Sequence, residues 1–232
     1  MMAIHFDYPK GAAFGRILPK SKIYEHGTPS SAVKELFIRQ VEQIVWQYKL
    51  APETVNLTGT RSVPEIQIFS ISLKDGELKQ DVLRCIDQAI PFPILFELRY
   101  ENDVKGIAAY KRPSEVDGAK WVVSGYFETE WVPSDTPRKR LPLVFDLEAL
   151  YTNLLTPLMP YPARPEEGFQ ARIERMEKIC SRQREFERCE ARLRNEKQFN
   201  LKVAINAELR ALKQELENLT RPFSACGSVV AP

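Results

Sequence analysis

Only two histidines, four cysteines and ten glycines occur among the 232 residues, and each scarcity excludes a class of chemistry. His5 and His26 stand alone, with no third ligand at usable spacing, so neither a histidine-built metal site nor a histidine-based triad is expected. Cys85, Cys180, Cys189 and Cys226 form no C-x-x-C pair. Cys180 and Cys189 fall on opposite faces of a helix, about 13 Å apart along its axis, too far to bridge or to share a metal. Reduced thiols in a cytoplasmic chain are the expectation. No stretch approaches the roughly 18 apolar residues of a membrane helix. Nor does the segment from Met1 to Gly15, interrupted by His5, Asp7, Tyr8, Pro9 and Lys10, carry the apolar core of a secretory signal. The phosphate-loop, dinucleotide-fingerprint and nucleophile-elbow motifs are all absent, so no cofactor and no metal is expected. Thirty-three basic against 31 acidic side chains leave a net charge of +2, too small for a global field that would draw nucleic acid or a membrane surface.

What is present is a globular composition, 44% hydrophobic and 28% charged. Residues 1–30 are punctuated by Pro9, Gly11, Gly15, Pro19, Gly27 and Pro29, with room for a short strand over 14–18. Thr28-Pro29-Ser30-Ser31 carries helix-start chemistry. Beyond it Val33, Leu36, Phe37, Val41, Ile44, Val45 and Tyr48 recur at three- and four-residue steps, which predicts one amphipathic helix over 32–48. Residues 63–74 read as a strand whose inward phase switches, as a bulge or a strand covered on both faces would produce. A short helix over 78–89 follows the Asp75-Gly76 turn. Three strands come next, over 94–100, 104–111 and 120–132, the first two joined through Asn102-Asp103. They predict an antiparallel meander with packed helices, an α+β class. A further strand over 141–145 and a helix capped by Asp146 and running to about Leu155 complete this part.

Pro157, Pro160, Pro162 and Pro165 then forbid regular structure. From Phe169 to Leu219 there is neither glycine nor proline, and Ile205, Leu209, Leu212, Leu216 and Leu219 are spaced 4-3-4-3, a heptad seam. The expected layout is an α+β globular domain over 1–156, a proline-rich linker over 157–168, a coiled-coil-like helical arm over 169–221 and a flexible tail over 222–232. The missing glycine and proline favour one long helix of about 75 Å; a helical hairpin turning near Asn195 to Asn200 is the compact alternative.

Three kinds of function compete for these residues. A metal-dependent nuclease needs carboxylates to hold a divalent ion beside a lysine. Glu65, Glu97 and Lys111 offer a loose version, although Arg99 stands where that pattern has lysine and cannot act as a base. Direct, sequence-blind nucleic-acid binding would use Lys111, Arg112, Arg138, Lys139 and Arg140 against phosphates, with Trp121 or Tyr126 stacking on bases if exposed. The arginines of the arm interleave with glutamates, the mark of an ion-paired solvated face. Third, an amphipathic arm cannot bury its stripe alone. It folds back, pairs with a copy, or docks a partner protein through Ile205, Leu209, Leu212, Leu216 and Leu219.

Several segments together resemble a bacterial domain family of unknown function. They are Leu36 to Pro52 with Val63-Pro64-Glu65-Ile66-Gln67, then Ala109-Tyr110-Lys111-Arg112, Trp121 to Phe127, Glu196 to Asn200, and Asn206-Ala207-Glu208-Leu209. The resemblance implies genes lying beside helicase and DNA methyltransferase genes in restriction-like or phage-defence loci, and it carries over no catalytic residue. The expectation is therefore a non-enzymatic accessory or scaffolding subunit that docks a helicase or methyltransferase subunit, or a second copy, through its arm. A divergent nuclease and a nonspecific nucleic-acid binder are the alternatives.

Overall fold

In the computed structural model, residues 5–114, 116 and 121–221 are described. The tail over 222–232, with Cys226, lies outside them. The chain runs β1 (Phe6–Asp7), β2 (Ala13–Ile17), α1 (Lys20–Gly27), α2 (Ser31–Gln40), β3 (Val41–Leu50), α3 (Pro52–Val55), β4 (Ile66–Leu73) and α4 (Gln80–Ala89). It continues through β5 (Ile94–Tyr100), β6 (Asp103–Pro113), β7 (Trp121–Glu128), β8 (Val132–Pro133), β9 (Lys139–Arg140) and α5 (Leu147–Leu155) to α6 (Phe169–Asn195) and α7 (Phe199–Thr220). It divides into two compact units, Met1–Pro160 and Tyr161–Pro232. Among the described residues no helix is long and apolar enough to cross a membrane.

The first unit is a sheet in the order β2-β3-β4-β5-β6-β7, with β8 added to β6. The expected meander, β5-β6-β7, is its second half. Neighbours are antiparallel except β4 and β5, which run parallel because α4 crosses between them. Phe69, Ile71, Phe96, Leu98, Ile107 and Ala109 pack on one face beneath α1, α2 and α4. Tyr151 of α5 serves the other face, donating its hydroxyl to the Ala109 carbonyl and accepting from the Lys111 amide. The phase switch in β4 is thereby explained: nearly every residue of the strand is buried, because both faces are covered.

The helix expected over 32–48 ends at Gln40, and the chain enters β3 directly. Bulges in β3 cause the false period. Val41 pairs with Leu73 and Ile44 with Ile71, so an extra residue sets two inward positions three apart, as in a helix. A second irregularity between Trp46 and Tyr48 moves Tyr48 and Leu50 to the opposite face. The helix stop was invisible because other segments supply it: Lys20 Nζ donates to the carbonyls of Phe37 and Val41, at 2.8 and 2.6 Å, and Lys74 Nζ to that of Ile38 at 2.7 Å.

Helix α1 was not expected. It lies so close to α4 that a Cβ at Gly27 would stand 2.7 Å from the Cys85 carbonyl oxygen. The β5–β6 turn is at Glu101-Asn102, one residue earlier than expected, with Tyr100 opposite Asp103 and Glu101 at φ +50°. The segment 141–145 is not a strand, and Leu143 and Phe145 in it are exposed. Asp146 does cap α5, accepting from the Ala149 amide at 2.7 Å.

In the second unit the expectation of a single long helix fails, and the alternative forms: α6 and α7 are an antiparallel hairpin. The turn lacks glycine because Glu196 stops the helix itself, its Oε1 accepting from the amides of Lys197 and Gln198 at 2.7 and 2.8 Å. Lys178–Glu215, Arg182–Glu215 and Arg192–Glu208 pairs lace the two helices together. At the open end Arg175 holds Glu167 through two bonds of 2.6 and 2.7 Å. That guanidinium lowers the Glu167 carboxyl from 4.5 to about 2.

A carboxylate depressed in this way contributes stability that is present above its unfolded pKa and lost as pH falls through the folded one. Glu167→Gln should therefore cost about 1.5–3 kcal/mol at neutral pH. In urea denaturation, its deficit against wild type should persist above pH 4.5 and close toward about pH 2. A deficit unchanged at the acid end would contradict the assignment.

Candidate functional site

Alternation along β5 turns Glu97 away from the helix-covered face that receives Phe96 and Leu98. There its two oxygens accept from Arg138, Nη1 and Nη2 each at 2.9 Å, in a bidentate pair. Arg99 approaches Oε2 at 3.5 Å while its Nε donates to Ser70 Oγ. His5 Nδ1 lies 3.8 Å from Oε1. Burial is the main cause lowering the His5 pKa, against the opposing pull of Glu97. Burial and then Glu97 push the Tyr8 phenol far up. The Glu97 hydrogen bonds raise Arg138 further. Arg138 also donates to the Phe6 carbonyl, so this cluster clips the parallel β1–β9 ladder to the sheet.

Lys111 faces the other way. It is 1% exposed, and its Nζ donates to the carbonyls of Asp87 and Ile90 at the end of α4, 3.5 Å from Asp87 Oδ1. Tyr126 donates its hydroxyl to Asp87 Oδ2. Burial raises Asp87 and lowers Lys111, because each pays for its charge in an apolar surround. Glu65 lies elsewhere again, 3.3 Å from Lys49 Nζ and accepting from Gln67 Nε2. The structure thus does not bring together Glu65, Glu97 and Lys111, two of which occupy opposite faces of the sheet. Among the described residues no group of three or more His, Cys, Asp or Glu side chains is placed to hold a metal ion.

Of the five cations expected to meet phosphates, Lys111 is sealed in the core and Arg138 is committed to Glu97. Arg112 is half-buried, and Lys139 and Arg140 are exposed. Tyr126 is buried and offers no free stacking face, and Trp121 is half-buried.

The heptad seam is largely occupied within the hairpin. Ile205 and Leu212 are buried against Cys189, Leu209 packs at the same cluster with Phe186 and Leu193, and Leu216 and Leu219 are half-buried. The side chains left bare lie one turn earlier: Phe199 is 78%, Leu201 46% and Val203 54% exposed. Phe199 and Val203 stand four apart on one face. Leu201 lines a groove of about 670 Å³ beside the turn, with Ala191, Ala204 and Ile205, and charges of both signs edge it: Arg188, Glu196 and the Arg192–Glu208 pair. These residues sit outside the heptad register. The signal that could have found them is the alternation in Phe199-Asn200-Leu201-Lys202-Val203, which serves no buried stripe.

A family profile described as a domain of unknown function, DUF4391, matches residues 6–216. Comparison with curated proteins gives no match, and neither does comparison with solved structures.

Proposed function

This chain belongs to the DUF4391 family of unknown function, and we propose that it works by contact, as an accessory subunit docked to a helicase or DNA methyltransferase subunit of a restriction-like or phage-defence system. The observation that carries this proposal is the bare apolar tip of the hairpin. Phe199, Leu201 and Val203 expose large apolar surface on α7, and Leu201 lines a groove whose edge carries Arg188 and the Arg192–Glu208 pair. Aromatic anchors with neighbouring arginines are the groups that dominate protein interfaces. The choice of partner rests on the gene neighbourhood that the resemblance implies. The heptad residues Ile205, Leu209, Leu212, Leu216 and Leu219 hold the hairpin's shape in this account, with Leu216 and Leu219 still accessible in part.

Both tip residues are exposed, so Phe199→Glu with Val203→Glu should leave helicity and melting unchanged. An anchor of this kind contributes about 2 kcal/mol or more, so affinity for the partner subunit should fall at least about thirtyfold. Co-purification with the tagged full chain measures it. Retention of the helicase or methyltransferase subunit at wild-type level by the double variant would overturn the proposal.

Exposed Lys139 and Arg140 favour a second, weaker contact with phosphates. It predicts retention on a DNA duplex that falls steeply with salt and is lost when both are alanine.

A further inference from the structure

The helix-bearing face of the sheet is incompletely covered at one place. Between α1, the middle of β3 and β4, and the segment that follows α4 lies a cavity of about 320 Å³. Its floor is Phe69, fully buried, and one wall is Trp46, whose ring stacks on Phe69 with centroids 5.9 Å apart and planes 23° apart. Leu18, Ala89 and Phe92 close the other sides. The mouth carries Lys22 and His26, four residues apart on α1 and both exposed.

We propose that this cavity is a binding site for a small, flat apolar molecule bearing a carboxylate or similar anionic group, such as an aromatic carboxylate. The volume is at the lower limit of small-ligand pockets, which suits one compact ring system. Trp46 and Phe69, stacked on each other, both line the cavity, and aromatic side chains in such a wall take a further ring in offset or edge-on contact. The buried Gln67 is the one polar side chain among otherwise apolar walls, and Lys22 and His26 stand together at the exposed end, which gives the ligand a direction, its ring inward and its charge at the mouth. The side chains at that mouth accept an anion. Glu25 takes one hydrogen bond from Lys22 at 2.9 Å, and an ammonium has further N–H donors to offer. This site is separate from the hairpin tip, and its fate does not depend on that of the docking proposal.

Calorimetric titration of the intact chain with 2-naphthoate, and with 2-naphthylmethanol as the uncharged shape match, tests it. The expected result is saturable one-to-one binding, with naphthoate the tighter probe. Lys22→Glu should weaken naphthoate about fivefold, the upper end for an exposed ion pair, and leave the alcohol unchanged. Ala89→Phe should fill the cavity and abolish both. If that variant fails to fold, Leu18→Trp fills it from the other wall with the same readout. Absence of saturation with either probe, equal affinity for acid and alcohol, or undiminished binding in a folded cavity-filled variant would overturn the proposal.

Discussion

Lys111→Met is expected to lower the stability of this protein by about 3–5 kcal/mol, the range for breaking a buried ion pair from one side. Two losses combine. The Asp87 carboxylate, 5% exposed, is left with the Tyr126 hydroxyl and only the weaker pull of Arg84. The carbonyls of Asp87 and Ile90 at the end of α4 lose the ammonium that satisfies them. A carboxyl whose folded pKa is raised, as burial raises that of Asp87, favours the fold at low pH and loses that contribution as pH rises through the folded value. The Lys111→Met deficit should therefore shrink on acidification. Adding Asp87→Asn should recover part of it at neutral pH, because the uncompensated charge is gone, and a double-mutant cycle by chemical denaturation reads the coupling. A deficit below about 1 kcal/mol, the scale of a surface pair, would mean that Lys111 is not buried as described.

Glu97→Ala should cost a similar amount, about 3–5 kcal/mol, for a different reason. Without the carboxylate, Arg138 and Arg99 face one another with nothing to neutralise them, and the ladder of β1 and β9 loses its attachment to β5. Glu65→Ala is the control. Of its partners Lys49 is part-exposed while the Gln67 amide is buried, so the loss should be that of one hydrogen bond, about 1–2 kcal/mol. The pair of variants also separates structure from catalysis. In a nuclease built on these acids, either substitution would abolish metal-dependent cleavage while the fold held. In the structure described here Glu97→Ala melts early, and Glu65→Ala loses much less.

How far the sequence could be read follows from where each signal sits. Ser30 and Asp146 marked the starts of α2 and α5 because a cap acts within three residues. The meander was legible because β5, β6 and β7 are joined by short connections. What failed depended on distant groups or on an added residue. The bulge that places Val41 and Ile44 three apart mimics a helical stripe, and only the pairing with β4 reveals it. The end of α2 is written in Lys20 and Lys74, not in α2 itself. Glu196 turns the hairpin with a side chain in place of glycine. The same holds for the charged residues. Glu65, Glu97 and Lys111 share a plausible linear order, but one strand parity puts Lys111 under α4 and Glu97 beneath Arg138. Asp87, the true partner of Lys111, comes from a helix that the linear pattern never linked to it.

Placing a photo-crosslinking phenylalanine analogue at position 199 of the full chain, in its native host, tests most directly whether the hairpin tip is the working surface. Mass spectrometry of the adducts should show a helicase or DNA methyltransferase subunit joined at that position, and the adduct should vanish when Val203→Glu is added. Adducts confined to other copies of the chain, or unchanged by Val203→Glu, would contradict the account.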